Sequence, residues 1–529
     1  GEGMVAAHHG SLSKETRFDT EQRLKTGELK VCVATASLEL GIDVGDVDLV
    51  CQIASPRNIG VALQRVGRSG HFLGGMPKGR FFPLTRDELV ETAALFRAIK
   101  AGELDALTIP SWPLDVLAQQ IVASCATEEW DEDDLYGLVT RSYSYRELPR
   151  KRYEDVIKVL ADGVASRWGR GAAHLHRDGV HNKVKARRGS RIIALTNGGA
   201  IPDTADYLVV AEPEGAIVGT VNEDFAIESM SGDVFLLGNT PWKIRRVESG
   251  SIRVEEAHGQ SPTIPFWLGE ALGRTIELSR EVSTLRRDVE LRLHDEEKAI
   301  ACMMEADVSR EAAGQIVAYI REGRRVLGMV PTMDKLVAER FFDEAGGMQL
   351  VIHSPWGSRL NRAWGLALRK RFCAGFNFEL QAAATDEGIN ISLGPQHSFP
   401  LEEVFSYLKS ATASDVLLQA VFQSPIFPLR WRWTASRSLA LLRQVRGKRV
   451  PTPIQRMRSD DLMGAVFPAA VACQDNMPPG GTIVPPDHPL VFETIRDCLT
   501  EALDAEGMQA LLGKIERGEV EVFGRDTVQ

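Results

Sequence analysis

Long apolar runs are missing from this sequence, and none reaches the roughly 18 residues that a membrane span needs. Cysteine is sparse and unpatterned. The seven cysteines, at 32, 51, 125, 302, 373, 473 and 498, are odd in number and include no C-x-x-C pair. That spacing excludes a structural zinc site and a disulfide framework and fits a reducing cytoplasm, each thiol reading as a small buried hydrophobe. No G-x-x-x-x-G-K-[ST] loop occurs either, so no stretch has the residues that cradle nucleotide phosphates. Internal repeats, low-complexity tracts and metal-ligand clusters are also lacking, and no metal is expected.

What is present is ordinary globular chain. The 529 residues, 44% hydrophobic and 25% charged, exclude a wholly disordered or fibrous protein. At about 100–200 residues per domain, three or four domains are expected. The net charge of −10 argues against a nucleic-acid partner only as a sum. Residues 101–140 carry no Lys or Arg and nine acids, whereas residues 141–191 carry fourteen basic side chains against five acidic ones.

The first hundred residues alternate helix and strand. Ser13 is placed to cap a helix that runs to about Thr26, with Gly27 as its stop. Short apolar strands are predicted over 29–34 and 47–53, and a helix over about 58–68. This is the grammar of a parallel sheet covered on both faces, in which ligands collect at the carboxyl ends of the strands. Three stretches there carry chemistry. His8-His9-Gly10-Ser11-Leu12-Ser13 precedes a helix N-terminus, which favours phosphate. Thr35-Ala36-Ser37-Leu38-Glu39-Leu40-Gly41-Ile42-Asp43 packs hydroxyls, a glycine and a carboxylate after a strand. Gln64-Arg65-Val66-Gly67-Arg68-Ser69-Gly70-His71 puts two arginines at i and i+3, on one helical face.

In this order the three stretches resemble the second RecA-like domain of superfamily 2 helicases, as motif V and motif VI, and their wording is similar to the Lhr (large helicase-related) family. Asn197-Gly198-Gly199-Ala200-Ile201-Pro202-Asp203, the segment 232–238, Pro265-Phe266-Trp267 and His353-Ser354-Pro355-Trp356-Gly357-Ser358-Arg359 extend the resemblance along the chain. It implies Arg68 as the arginine finger for phosphoryl transfer, Arg65 as its support and Gln64 in the same network. Gly41 and Asp43 would lie near the nucleotide. His9, Gly10, Ser11, Thr35 and Ser37 would touch the nucleic-acid backbone. His71 stands where many superfamily members have another arginine. The one D-E-x-[DH] match, Asp131-Glu132-Asp133-Asp134, follows motif VI rather than preceding motif V. The chain therefore reads as the C-terminal part of a helicase without its first RecA-like domain, unable to hold ATP and Mg2+ or hydrolyse ATP alone.

The remainder reads as the nucleic-acid-handling part. Helices predicted over 113–125 and 153–160 suit a winged-helix domain, with the basic run, including Arg187 and Arg188, on phosphates. Arg167-Trp168-Gly169-Arg170 adds an aromatic; the alternative is a solvated face balancing the acidic one beside it. Short strands predicted over 192–195, 207–210, 216–221, 234–237, 242–247 and 252–254 suggest a small barrel or curled sheet. Trp242, flanked by Lys243 and Arg245, is a candidate for stacking a base of a single strand, and the resemblance ranks it above Trp267. After about 276 the chain reads as mainly helical. The clusters around Trp356 and Trp364 and at Arg430-Trp431-Arg432-Trp433 follow, then proline-rich loops over 450–490 and a closing helix over about 490–505.

The expected architecture is multidomain: a partial α/β RecA-like domain over 1–100, a winged-helix domain over 101–190, and over 191–529 an α+β tracking domain with a β-barrel-like part and helices. The expected function is that of a 3′-to-5′ ATP-dependent helicase on single-stranded DNA, a 3′-tailed duplex or an RNA–DNA hybrid, cytoplasmic and, in a prokaryote, nucleoid-associated. The alternatives are a non-catalytic single-strand-binding module and a structural α/β protein with a decayed motor signature.

Overall fold

The computed structural model describes residues 4–9, 14–39, 47–70, 74–166, 169–202, 206–222, 225–226, 229, 231–237, 240–248, 250–258, 273–342, 348–376, 381–393, 399–471 and 482–527. Ser13, Gly10, Ser11, Gly41, Asp43, His71, Trp168 and Trp267 lie outside them. No described helix is long and apolar enough to cross a membrane.

Strand β1 (Val5–His8), helix α1 (Lys14–Lys25) and strand β2 (Val31–Ala34) open the chain, and β1 and β2 pair in parallel. Strand β3 (Val50–Ile53), helix α2 (Ile59–Val66) and strand β4 (Gly79–Phe82) repeat the pattern, again with a parallel pair. Asn58 caps α2 by accepting the N–H of Val61 at 2.8 Å. Thr85 caps helix α3 (Arg86–Ala101) in the same way, and Gly102, at φ +75°, ends it.

A winged helix follows, as expected. Helices α4 (Leu114–Cys125), α5 (Glu132–Thr140) and α6 (Arg150–Asp162) pack beside a sheet of β5 (Trp130–Asp131), β9 (Lys183–Ala186) and β8 (Leu175–Asp178), in that order. The small hairpin β6 (Val164–Ser166) and β7 (Gly169–Gly171) lies between α6 and β8. The strand expected over 192–195 is instead helix α7 (Ser190–Asn197). Its ends explain the difference: Ser190 Oγ bonds the carbonyl of His174 at 2.8 Å, and Asn197 Oδ1 accepts the N–H of Gln444 at 2.8 Å. Tertiary anchoring outweighs the β-branched preference of the isoleucines.

The other five expected strands are present as β10 (Asp206–Ala211), β11 (Ala216–Asn222), β12 (Val234–Leu237), β13 (Thr240–Glu248) and β14 (Ser251–Glu256). They pair in the order β11-β10-β14-β13-β12, so of the small barrel or curled sheet expected here, no closed barrel forms among the described residues. Among the described residues the sheet's end strands, β11 and β12, do not pair with each other, and the core on one face is small, formed by Val209, Phe235, Ile244, Ile252 and their neighbours.

Residues 191–529 contribute to more than one core. Helices α8 (Ile276–Glu290), α9 (Glu296–Met304) and α10 (Arg310–Leu327) share a core with α2 and α3 of the first domain. Beyond them the chain stays mainly helical, as expected, but a five-stranded sheet is added to the helices. Strands β15 (Lys335–Phe342), β16 (Met348–His353), β17 (Gln381–Ala384), β18 (Gly388–Leu393) and β19 (Glu521–Asp526) make a sheet in the order β17-β18-β16-β15-β19. Helix α11 (Ser358–Phe376) and helices α12 (Ser410–Phe422) and α13 (Ile426–Arg437) cover it through the largest core. The expected loops over 450–490 contain helix α14 (Thr452–Val466), which starts with Pro453 in its first turn, where the missing N–H has no helical partner anyway. The helix expected over about 490–505 is present as α16 (Pro489–Asp497), continued by a π turn over Cys498–Ala502; the short α15 (Pro468–Val471) precedes it and a further helix, α17 (Ala505–Glu516), follows.

Candidate nucleotide and nucleic-acid interface

The turn that ends α2 is held from three sides. Ser69 is fully buried, its Oγ donating to the carbonyl of Val66 at 2.7 Å and accepting the N–H of Lys78 at 2.7 Å. Gly70 donates its N–H to Val47 O at 2.9 Å and adopts φ +61°. A Cβ there would stand 2.6 Å from the carbonyl oxygen of Met76, so only glycine fits. The helix stops at Val66, so Arg65 and Arg68 do not share the helical face that their spacing predicts. Arg65 turns inward: its guanidinium grips Glu39 and donates to Gln52 Oε1 at 2.9 Å, tying the motif V stretch to β3. Arg68 sits half-buried in the turn, with Nε on the carbonyl of Gln64 at 3.2 Å, and the side chain of Gln64 is exposed.

The first two motifs meet through His8. This buried ring bonds Ser37 Oγ through Nδ1 and Glu21 through Nε2, both at 2.8 Å, and Ser37 Oγ donates to the His8 carbonyl at 2.7 Å. Ser37 therefore acts on its own chain as a clip between β1 and the loop after β2. Thr35 is exposed at the carboxyl end of β2 and makes no side-chain cap, and His9 is half-buried beside His8.

Much of the winged-helix charge is self-neutralising. Arg150 pairs with Asp133 at 2.6 Å and Glu154 at 2.9 Å. Arg177 pairs with Glu132 at 2.6 Å, and Lys185 with Glu129 at 3.5 Å. Lys151 and Arg152 both reach Asp487, at 3.0 and 2.7 Å. The Arg187 guanidinium donates to the carbonyls of Leu175 at 2.6 Å and Ala161 at 2.8 Å, which makes it a structural strut, and both Arg187 and Arg188 are exposed. Arg150, Arg177 and Lys185 of the basic stretch thus answer acids of the stretch beside it. Trp242 and Lys243, being successive strand residues, point to opposite faces of the sheet. Trp242 lies on the core side with Ile244, half-buried, and pairs across from Phe235. Trp364 and Trp431 are fully buried core residues, and Trp356 precedes α11 with its Nε1 donating to the Met333 carbonyl at 3.2 Å, so neither cluster is a surface platform.

One cluster has no sequence signature. The loop after β3 carries Ala54 and Arg57 at φ +61° and +59°. Ser55 Oγ in that loop bonds Glu91 of α3. Buried Arg274 reaches Glu91 at 3.2 Å and Glu387 at 2.5 Å, and Arg286 of α8 reaches Glu387 at 2.6 Å. Burial opposes ionisation of Glu387, yet Arg274 and Arg286 bring its carboxyl below the ordinary range. Burial dominates at Glu91, whose carboxyl is pushed up despite Arg274 and Ser55. Three parts of the chain, far apart in sequence, are locked here: the first domain, α8 and the β17–β18 turn.

Comparison with known proteins now decides the family. Residues 2–72 match the helicase conserved C-terminal domain, residues 97–264 the winged-helix domain of large helicase-related protein, and residues 330–529 the DEAD/H associated domain. The chain belongs to the Lhr family. Over 98% of its length it is 35% identical to the Lhr helicase/uracil glycosylase of Escherichia coli strain K12, covering 33% of that protein. It is 31% identical to the ATP-dependent helicase Lhr-Core of Sulfolobus acidocaldarius, over 98% of this chain and 58% of that one. Among solved structures, Mycobacterium smegmatis helicase Lhr bound to ssDNA and AMP-PNP matches 99% of this chain and 61% of that one, with a TM-score of 0.78 and 30% identity. The chain thus spans between a third and three fifths of these Lhr proteins.

Proposed function

We propose that this Lhr chain supplies the arginine-finger side of an ATP site and the strand-tracking domains of a 3′-to-5′ helicase. Its substrate is single-stranded DNA, a 3′-tailed duplex or an RNA–DNA hybrid. The observation that carries the reading is the anchored turn 67–70. Ser69 and Gly70 are fixed and hold the half-buried Arg68 in the turn beside Gln64, an arrangement suited to presenting a guanidinium to a phosphoryl group held elsewhere. Gln64 and Arg65 support it, Arg65 by fixing α2 against Glu39 and Gln52. Gly41 and Asp43 are assigned to the nucleotide, and His9, Gly10, Ser11, Thr35, Lys243 and Arg188 to the strand, with Trp242 packed on the core face of the sheet that carries Lys243. Ser37 and Arg187 act by holding the backbone behind them. The lysine and magnesium-binding acid of the ATP site are not among these motifs, and the chain alone is expected not to hydrolyse ATP.

The relatives named above are helicases by name, the Sulfolobus one an ATP-dependent helicase, and the mycobacterial one is bound to ssDNA and AMP-PNP, which supports carrying both ligands over. A binding module without catalysis is the second reading, favoured by the absence of a phosphate-cradling loop from these residues. Joined to a domain that carries such a loop, the chain should hydrolyse ATP when a single strand is added. Arg68→Ala should abolish hydrolysis and leave strand binding in place. Hydrolysis unaffected by that substitution would remove the finger, and strand-stimulated hydrolysis by the isolated chain would remove the division of labour.

A further inference from the structure

Two arginines of this structure lie within electrostatic reach of one another and of a single carboxylate. Arg57 closes the loop after β3, and Arg362 lies one helical turn beyond Ser358 at the start of α11. The carboxylate they share is Asp386. Its Oδ1 already accepts the backbone N–H groups of Arg274 at 2.9 Å and Ser358 at 2.8 Å. Its Oδ2 stands 3.7 Å from Arg57, beyond a hydrogen bond. The neighbouring carboxylates Glu91 and Glu387 are taken by Arg274 and Arg286.

Arg362 is half-buried and makes no hydrogen bond or ion pair among the described residues. Burial pushes its guanidinium below the ordinary value, Asp386 pulls it back, and Arg57 pushes it further down. A guanidinium keeps its proton in such a place, so what it lacks is a counter-ion. Arg57, 40% exposed, leaves the pair open to solvent.

The backbone is shaped to hold that arrangement. Arg57 has φ +59°, unfavourable for any residue with a Cβ. The conformation is imposed from outside. Arg57 N–H donates to Ser55 Oγ at 3.1 Å, Thr275 N–H donates to the Arg57 carbonyl at 3.1 Å, and Ser55 is bonded to Glu91. Backbone strain over-determined by its surroundings marks functional loops. This one lies at the carboxyl end of a strand in a parallel pair, where ligands collect.

We propose that Arg57 and Arg362 form a phosphodiester-binding subsite between the first domain and α11, in which one phosphate of a bound single strand supplies the missing negative charge. The assignment rests on the reading that this chain binds single strands. Planar guanidiniums present paired N–H groups to phosphate oxygens, and the two come from different parts of the chain. A phosphate there would bridge the first domain to the C-terminal sheet, so the strand itself would hold them in register.

The test is the salt dependence of binding. A fluorescent oligothymidylate is titrated with the full chain, with Arg57→Gly and with Arg362→Gln, at several potassium chloride concentrations, and each protein is also melted. Each lost phosphate contact should reduce the magnitude of the log–log salt slope by about 0.7. Glycine suits the positive φ, and glutamine removes an unpaired cation, so both variants should melt no lower than the parent. A structural role predicts the reverse, a lower melting point with the slope unchanged, and that result overturns the subsite. Should Arg362→Gln fail to fold, Arg57→Gly decides alone. Strand binding by the parent with an unaltered slope in Arg57→Gly removes the subsite and keeps the broader reading. No binding by the parent removes both.

Discussion

Arg65 and Arg68 are three positions apart and differ in what surrounds them. Arg65 is engaged with Glu39, 12% exposed, and with Gln52, which is buried, so truncation would leave a carboxylate poorly compensated. Arg65→Ala should lower the unfolding free energy by about 2 kcal/mol, the usual scale for a lost hydrogen bond to a charged group. Lysine should restore only part, because one ammonium cannot reproduce two directed contacts. Arg68→Ala, at a surface turn fixed by Ser69 and Gly70, should change stability by less than about 0.5 kcal/mol. Urea denaturation of the three variants measures both numbers. A loss at Arg68 as large as that at Arg65 would mean that the turn depends on the arginine it presents.

At the scale of elements, β13 shows how one alternation divides a basic–aromatic cluster. Trp242 faces the small core with Ile244, while Lys243 looks the other way, next to Glu255 across the pair. Trp242→Ala should therefore destabilise the sheet by about 2 kcal/mol, below the cost of a fully buried aromatic. A stacked indole would instead show as about 1–3 kcal/mol of lost single-strand affinity at unchanged stability. Denaturation and oligonucleotide titration of the same variant separate the two. The strands of this sheet were legible because period-2 patterns survive in isolation. The helix α7 was not, since its ends are fixed by His174 and Gln444 rather than by local sequence. The motif VI residues were legible, but their divergence was not: it depends on Lys78, Met76 and Val47, which meet the turn only in three dimensions. The Arg274 cluster left no trace, because its partners Glu91 and Glu387 lie 183 and 113 residues away.

Across the whole molecule, the winged helix and the C-terminal part are joined by groups that titrate in opposite senses. Glu493 accepts the N–H of Leu114 at 2.7 Å, and burial, with Asp115 beside it, pushes its carboxyl from 4.5 up to about 7 against the pull of Arg496. A carboxyl raised in the folded state contributes stability that is complete below about pH 4.5 and is lost as the pH rises through about 7. His488, the cap of α16, is pushed by burial from 6.5 down to about 4. Its contribution is complete above pH 6.5 and is lost as the pH falls toward about 4. The two slopes oppose each other over the overlap, and above pH 6.5 only that of Glu493 remains. Glu493→Gln should therefore flatten the fall in melting temperature between about pH 6.5 and 8. His488→Asn, which keeps a side-chain cap, should remove part of the loss on the acid side. Melting curves across this range test both, and a Glu493→Gln protein that retains the parent's alkaline slope would place that titration elsewhere in the chain.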